Sequence, residues 1–184
     1  MEHRPLGRSG LKVSEICLGT MTFGYQCDEK ASFAILDRAA AGGVDFLDTA
    51  DCYPVPLTLE TGGRTEEILG RWLKGKRDRF VVASKCFFPM GPGPNDRGSS
   101  RAHILRAVEA SLRRLQTDVI DLYQVHAFDP DTPLAETLRA LDDLVRAGKV
   151  RYAGCSNFMA WEMAQAFTEA ARVGLDIFTS TQPR

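Results

Sequence analysis

The stretch Ala39-Ala40-Ala41-Gly42-Gly43-Val44-Asp45-Phe46-Leu47-Asp48 joins the end of one helical pattern to the start of one strand, and that junction decides the fold class. Upstream, from Glu29 to Ala41, Phe33, Ile35, Leu36, Ala39 and Ala40 recur at helical spacing. Gly42-Gly43 stop the helix, because glycine takes positive φ without a Cβ penalty. Val44, Phe46 and Leu47 then read as a strand, and Asp48 ends it.

The same alternation continues in both directions. Toward the N-terminus, Ile16 to Leu18 form a short apolar run ended by Gly19, and Gly7 to Gly10 punctuate two pieces of a hairpin before it. Toward the C-terminus, Thr65 is placed to cap a second helix, with Glu66 and Glu67 facing its positive end and Ile68, Leu69, Trp72 and Leu73 as its buried stripe. Phe80 to Ala83 make a third strand, closed by Lys85. Pro89, Gly91, Pro92, Gly93 and Pro94 have turn chemistry without a period, so 88–99 is a surface loop. A helix from Ser100 to Leu115, a strand from Val119 to Tyr123, a helix from Pro133 to Ala147, a strand from Val150 to Cys155 and a helix from Met159 to Arg172 follow. Ile177 to Ser180 form the sixth strand.

Strands separated by helices of this length need right-handed crossovers, so the sheet is parallel and covered by its helices. Doubly wound sheets and barrels both satisfy this. No G-x-G-x-x-G follows a strand, which disfavours a dinucleotide-binding Rossmann sheet. No linker interrupts the alternation, so residues 1–184 form a single domain.

The 184 residues are 44% hydrophobic and 26% charged, enough to bury a core. A formal charge of -1, with Lys and Arg dispersed, points away from nucleic acid and anionic membranes and toward small-molecule partners. Cys17, Cys27, Cys52, Cys86 and Cys155 are odd in number and lack a C-x-x-C pair, so neither a disulfide framework nor a metal site is expected. With no apolar segment behind the first residues and no run of about eighteen apolar residues, a cytoplasmic location is the expectation.

Asp48, Tyr53, Lys85 and His126 all follow or end strands, so in a barrel they meet at the C-terminal rim, where catalytic groups converge. Singly, each has a plain structural reading: a carboxylate satisfying turn donors, an amphipathic anchor, a solvated strand end, a hydrogen-bonded histidine. Together they make a carbonyl-reduction site. An ordinary tyrosine, with a pKa of about 10, donates a proton readily near neutrality only beside a cation that stabilises the phenolate. Lys85 supplies that cation, Asp48 holds Lys85, and His126 orients the carbonyl.

Gly43 to Ala50 followed by Tyr53, then Ser84-Lys85, then Asp121-Leu122-Tyr123-Gln124-Val125-His126 resemble the ordered signatures of the aldo-keto reductases. Arg64-Thr65-Glu66-Glu67-Ile68-Leu69-Gly70 and the segment Gly148 to Asn157 are similar to that family as well. The resemblance implies an α/β fold, a (β/α)8 TIM barrel, here incomplete with about six β/α units. It implies reduction of an aldehyde or ketone by hydride from NADPH, which becomes NADP+. Tyr53 is then the general acid, Lys85 lowers its pKa, Asp48 pairs with Lys85, and His126 positions the carbonyl. Ser156, Asn157 and Gln182 match positions that hold the nicotinamide carboxamide, although a helix N-cap is the plain alternative for Ser156 or Asn157.

Against that pattern, strands seven and eight are missing after Thr181-Gln182-Pro183-Arg184, and with them the loops that grip the cofactor's phosphates in the family. A C-terminally truncated sheet with open edges is expected to self-associate. Two alternatives to an active reductase remain: a regulatory subunit like the potassium-channel beta subunits, and an inactive remnant. Cys52 beside Tyr53 and Cys86 beside Lys85 suit either a redox role or small apolar filling. Phe158 and Trp161 suit either helix packing or the edge of a pocket.

Overall fold

The computed structural model describes residues 1–175 and 178–183. Ile177, assigned above to the sixth strand, lies outside the described residues. An antiparallel hairpin, β1 (His3–Pro5) and β2 (Lys12–Ser14), precedes everything else. Then come β3 (Cys17–Gly19), α1 (Glu29–Ala41), β4 (Phe46–Asp48), α2 (Arg64–Leu73), β5 (Val81–Cys86), α3 (Arg101–Leu115) and β6 (Ile120–Val125). α4 (Leu134–Arg146), β7 (Val150–Ser156), α5 (Ala160–Val173) and β8 (Ser180–Gln182) complete the order.

The sheet runs β3-β4-β5-β6-β7-β8 and every neighbouring pair is parallel. Strand order equal to chain order has no reversal point, which removes the doubly wound alternative and leaves a barrel wall. The chain is therefore an incomplete (β/α)8 barrel, with six strands and five intervening helices among the described residues.

Local chemistry explains most boundaries. Asp28 caps α1 by accepting from the Ala31 N–H at 2.8 Å, and Ser100 caps α3 by accepting from His103 N–H at 3.3 Å. At the end of α1 the left-handed residue is Gly43, at φ 86°, while Gly42 stays right-handed. The expected cap of α2 is displaced: Gly63 takes that place and Thr65 lies inside the helix. The Thr65 hydroxyl is buried and donates to Phe23 O at 2.8 Å, fastening α2 to the β3–α1 connection.

β5 and β6 run further than their apolar residues suggest, to Cys86 and Val125. Ser84, Lys85 and Gln124 are polar yet buried, and each has a side-chain partner. The core lies between sheet and helices, with Leu47 and Val82 of the sheet packed against Leu36, Leu69, Ile104 and Val108 of the helices. Near the start of β6, away from the rim, Asp121 accepts from Arg77 at 2.6 Å, Arg151 at 2.9 Å and Val82 N–H at 2.9 Å, so its buried charge is fully met. No helix among the described residues is long and apolar enough to cross a membrane.

Candidate active site

Lys85 is the pivot of the rim. Only 1% of it is exposed, so the solvated-strand-end reading does not hold. Its Nζ donates to Asp48 Oδ2 at 2.6 Å and to Thr49 O at 2.8 Å, and lies 5.2 Å from the centre of the Tyr53 ring. A buried ammonium needs such partners, since leaving water costs several kcal/mol in order of magnitude. His126, directly after β6, meets the Tyr53 ring edge-on at 5.7 Å between centroids and the Phe88 ring at 4.8 Å. The four rim residues expected to converge are thus brought together.

Ser156 and Asn157 stand at the end of β7, and Gln182 at the end of β8. Asn157 adopts φ 57°, a left-handed conformation that asparagine tolerates better than most residues. Its Nδ2 donates to His126 O at 2.9 Å and to Ser156 Oγ at 3.0 Å, while the Ser156 hydroxyl donates to Gln182 O at 3.0 Å. Neither residue caps α5; that place falls to Met159, whose N–H donates to Glu162 Oε2 at 2.7 Å. Gln182 accepts from Gln124 Nε2 at 3.2 Å and donates to Asp48 Oδ2 at 3.5 Å, so Asp48 touches both halves of the constellation. A cavity of about 260 Å³ is lined by Tyr53, Lys85, His126, Ser156, Asn157 and Gln182, with Met21, Val55, Leu57 and Phe88 as an apolar wall.

The sequence profile of the Aldo/keto reductase family matches residues 15–179. This chain belongs to that family. It is 45% identical over 179 residues to the uncharacterized oxidoreductase YrpG of Bacillus subtilis, covering 94% of this chain and 54% of that protein. It is 40% identical to a probable voltage-gated potassium channel subunit beta of Arabidopsis thaliana, covering 95% and 52%. With the versiconal hemiacetal acetate reductase of Aspergillus parasiticus it shares 38% over 208 residues, covering 99% and 58%. The chain spans about half the length of these relatives.

Behind the pocket of this aldo/keto reductase chain lies a buried layer of charge. Glu66 is fully buried on α2, accepting from Ser84 Oγ at 2.5 Å and from Arg114 Nε at 2.7 Å. Asp51 is also fully buried in this layer. Burial first, and then the charge of Glu66, push its carboxyl well above the usual range against the opposing pull of Arg114. The guanidinium that bonds Glu66 thus also acts on the Asp51 carboxyl.

Cys52 and Cys86 are buried, and burial pushes both thiols up, away from the reactive thiolate. Small buried filling therefore describes them better than redox chemistry. Phe158 is buried against Phe128, at 5.4 Å between centroids, whereas Trp161 is 59% exposed; neither lines the cavity. Sequence reasoning assigned no role to Gln124 or Phe88. Gln124 stands within the phrase that ends in His126, but Phe88 is the start of a loop and carries no periodic signal.

Proposed function

We propose that this chain carries the carbonyl-reducing centre of an NADPH-dependent reductase, with Tyr53 as general acid. One observation carries the reading: the Lys85 cation, fixed by Asp48 at 2.6 Å, stands 5.2 Å from the Tyr53 ring inside a cavity that His126 also lines. A bound NADPH supplies the hydride. Tyr53 gives its proton to the carbonyl oxygen as the carbon is reduced, and Lys85 stabilises the phenolate left behind. Two unit charges at that separation interact by about 3 kcal/mol at an effective dielectric of about 20, roughly a hundredfold in rate. Asp48 keeps the ammonium in place, and His126 holds the carbonyl oxygen.

Ser156, Asn157 and Gln182 fit the cofactor's reactive end, since a hydroxyl and two amides match the donors and acceptors of a carboxamide. The cavity, about 260 Å³, is below the range of about 300–1,000 Å³ common for drug-sized ligands, so it suits the reacting ends of two molecules. Its apolar wall, Met21, Val55, Leu57 and Phe88, favours an apolar aldehyde or ketone over a polyol or an acid. The five unpaired thiols suit a reducing, cytoplasmic setting.

The test is NADPH binding by nicotinamide fluorescence, with turnover of an aromatic aldehyde, for the parent chain and Tyr53→Phe. The expected outcome is binding by both and a loss of turnover of at least about a hundredfold in the variant. Undiminished turnover in Tyr53→Phe would remove the assignment. The potassium-channel beta-subunit relatives of two plants support a second reading, a regulatory subunit. Stable association with a channel domain, with NADPH bound and no turnover, would favour it.

A further inference from the structure

We infer that Gln124 is a positioning residue, whose amide donates to Gln182 and fixes which way the Gln182 carboxamide faces at the cofactor end of the cavity. The inference rests on the reading of Gln182 as a holder of the nicotinamide carboxamide. Gln124 is 2% exposed, and its Nε2 donates to Gln182 Oε1 at 3.2 Å. The two glutamines stand on β6 and β8, with β7 between them. Adjacent strands lie about 4.8 Å apart, so a side chain on β7 at that level would stand in the way. The residue there is Gly154, the register partner of Gln124 on one side and of Ser180 on the other. A Cβ on Gly154 would meet Gln124 Cγ at 3.2 Å and Ser180 Oγ at 2.9 Å, so the missing side chain leaves the lane through which Gln124 reaches β8.

An amide has a donor end and an acceptor end, and the groups beside it decide which end goes where. Asp48 Oδ2 already accepts from the Lys85 ammonium at 2.6 Å, and a carboxylate held by an ammonium accepts and does not donate. The end of Gln182 turned toward it, at 3.5 Å, is therefore Nε2. The Gln182 oxygen then points to Gln124, which answers with its own Nε2–H. Lys85 and Gln124 stand side by side at the two ends of this line, as register partners on β5 and β6. Gln182 itself is exposed, so with Asp48 alone, at the longer distance, water competes to turn the amide. Gln124 holds the opposite end, and two bonds on opposite ends define a rotor that one bond leaves free. Held in this way, Gln182 tells the NH2 of a cofactor carboxamide from its carbonyl.

The experiment uses the full chain. A ¹⁵N–¹H spectrum of the side-chain amides reads the contact on the resting protein, with Gln182→Leu identifying the Gln182 pair of signals. Gln124→Met keeps the length of the side chain and removes its donor. Gly154→Ala closes the lane without touching either glutamine, at a position whose φ is not positive. Both variants should move the Gln182 pair to the position of a free amide. Calorimetric titration then compares NADPH with its 3-acetylpyridine analogue, in which a methyl ketone replaces the carboxamide. The parent should prefer NADPH, and that preference should fall about fivefold in both variants, the weight of one neutral hydrogen bond. A general loosening of the fold would weaken the two cofactors alike. An unchanged Gln182 pair in both variants, or a moved pair with an unchanged preference, overturns the inference. A pair that depends on Gln124 in a chain that binds neither cofactor upholds Gln124 as the group that orients Gln182 and counts against the carboxamide reading alone.

Discussion

Replacing Lys85 by Met keeps the stem of the side chain and deletes only the ammonium, so the loss is electrostatic. Asp48 Oδ2 then loses its 2.6 Å partner and Thr49 O its 2.8 Å donor. Breaking a buried pair from one side costs about 3–5 kcal/mol. The lower end applies here, because Asp48 is 8% exposed and Gln182 Nε2 is already 3.5 Å away. Asp48→Leu should cost more, about 4 kcal/mol, since the stranded Lys85 is only 1% exposed. The double variant should lose only about 2 kcal/mol, chiefly for the unpaired Thr49 carbonyl, because apolar replacement of both ions removes the desolvation penalty as well. The expected coupling is therefore about 5 kcal/mol in a domain whose total stability is of order 5–15 kcal/mol. Urea unfolding reads it directly: with a slope of about 2 kcal/mol per molar, Lys85→Met should lower the midpoint by about 1.5 M and the double variant by about 1 M. If the two single losses simply add, to within about 1 kcal/mol, the Lys85–Asp48 pair is not the closed buried unit described here and the reasoning fails.

Asp51 gives a pH dependence of definite sign. Its pKa is raised in the folded protein, so its contribution to stability is complete below about pH 4 and is lost as pH rises toward the folded-state value. Asp51→Asn should therefore gain on the parent as pH increases above about 4 in urea unfolding; a constant difference would show that the carboxyl's pKa is not raised by folding. Gly70→Ala should lower Tm by roughly 5 °C. A Cβ there would lie 2.3 Å from Arg114 O and 2.8 Å from Leu115 C, and the overpacking between α2 and α3 outweighs the ~1 kcal/mol gain in helix propensity. A rise in Tm on calorimetry would mean that the two helices separate at little cost.

Much of the fold was legible because its signals are local. The period of α1, the stop at Gly42-Gly43 and the hairpin around Gly7 each depend on neighbours within a turn or two. Legibility failed where polar residues are buried. β5 continues through Ser84 and Lys85 because Glu66 and Asp48, distant in the chain, satisfy them, and no apolar run records that. Thr65 failed as a cap for the same reason: Phe23 O claims its hydroxyl.

The sequence by itself determined a parallel sheet covered by its helices and set Asp48, Tyr53, Lys85 and His126 at or after strand ends, because hydrophobic period and chain order are one-dimensional properties; the barrel was implied by the resemblance of its motifs, and the strand order in space that excludes a doubly wound sheet came from the structure. Only the tertiary structure decided which charges meet. It put the Lys85 ammonium between Asp48 and the Tyr53 ring, gave Asp51 and Glu66 one guanidinium to share, and brought Cys52 to the imidazole of His126. Electrostatic and hydrogen-bond energies depend on separation and burial in three dimensions, and those are set only when strands far apart in the chain close side by side.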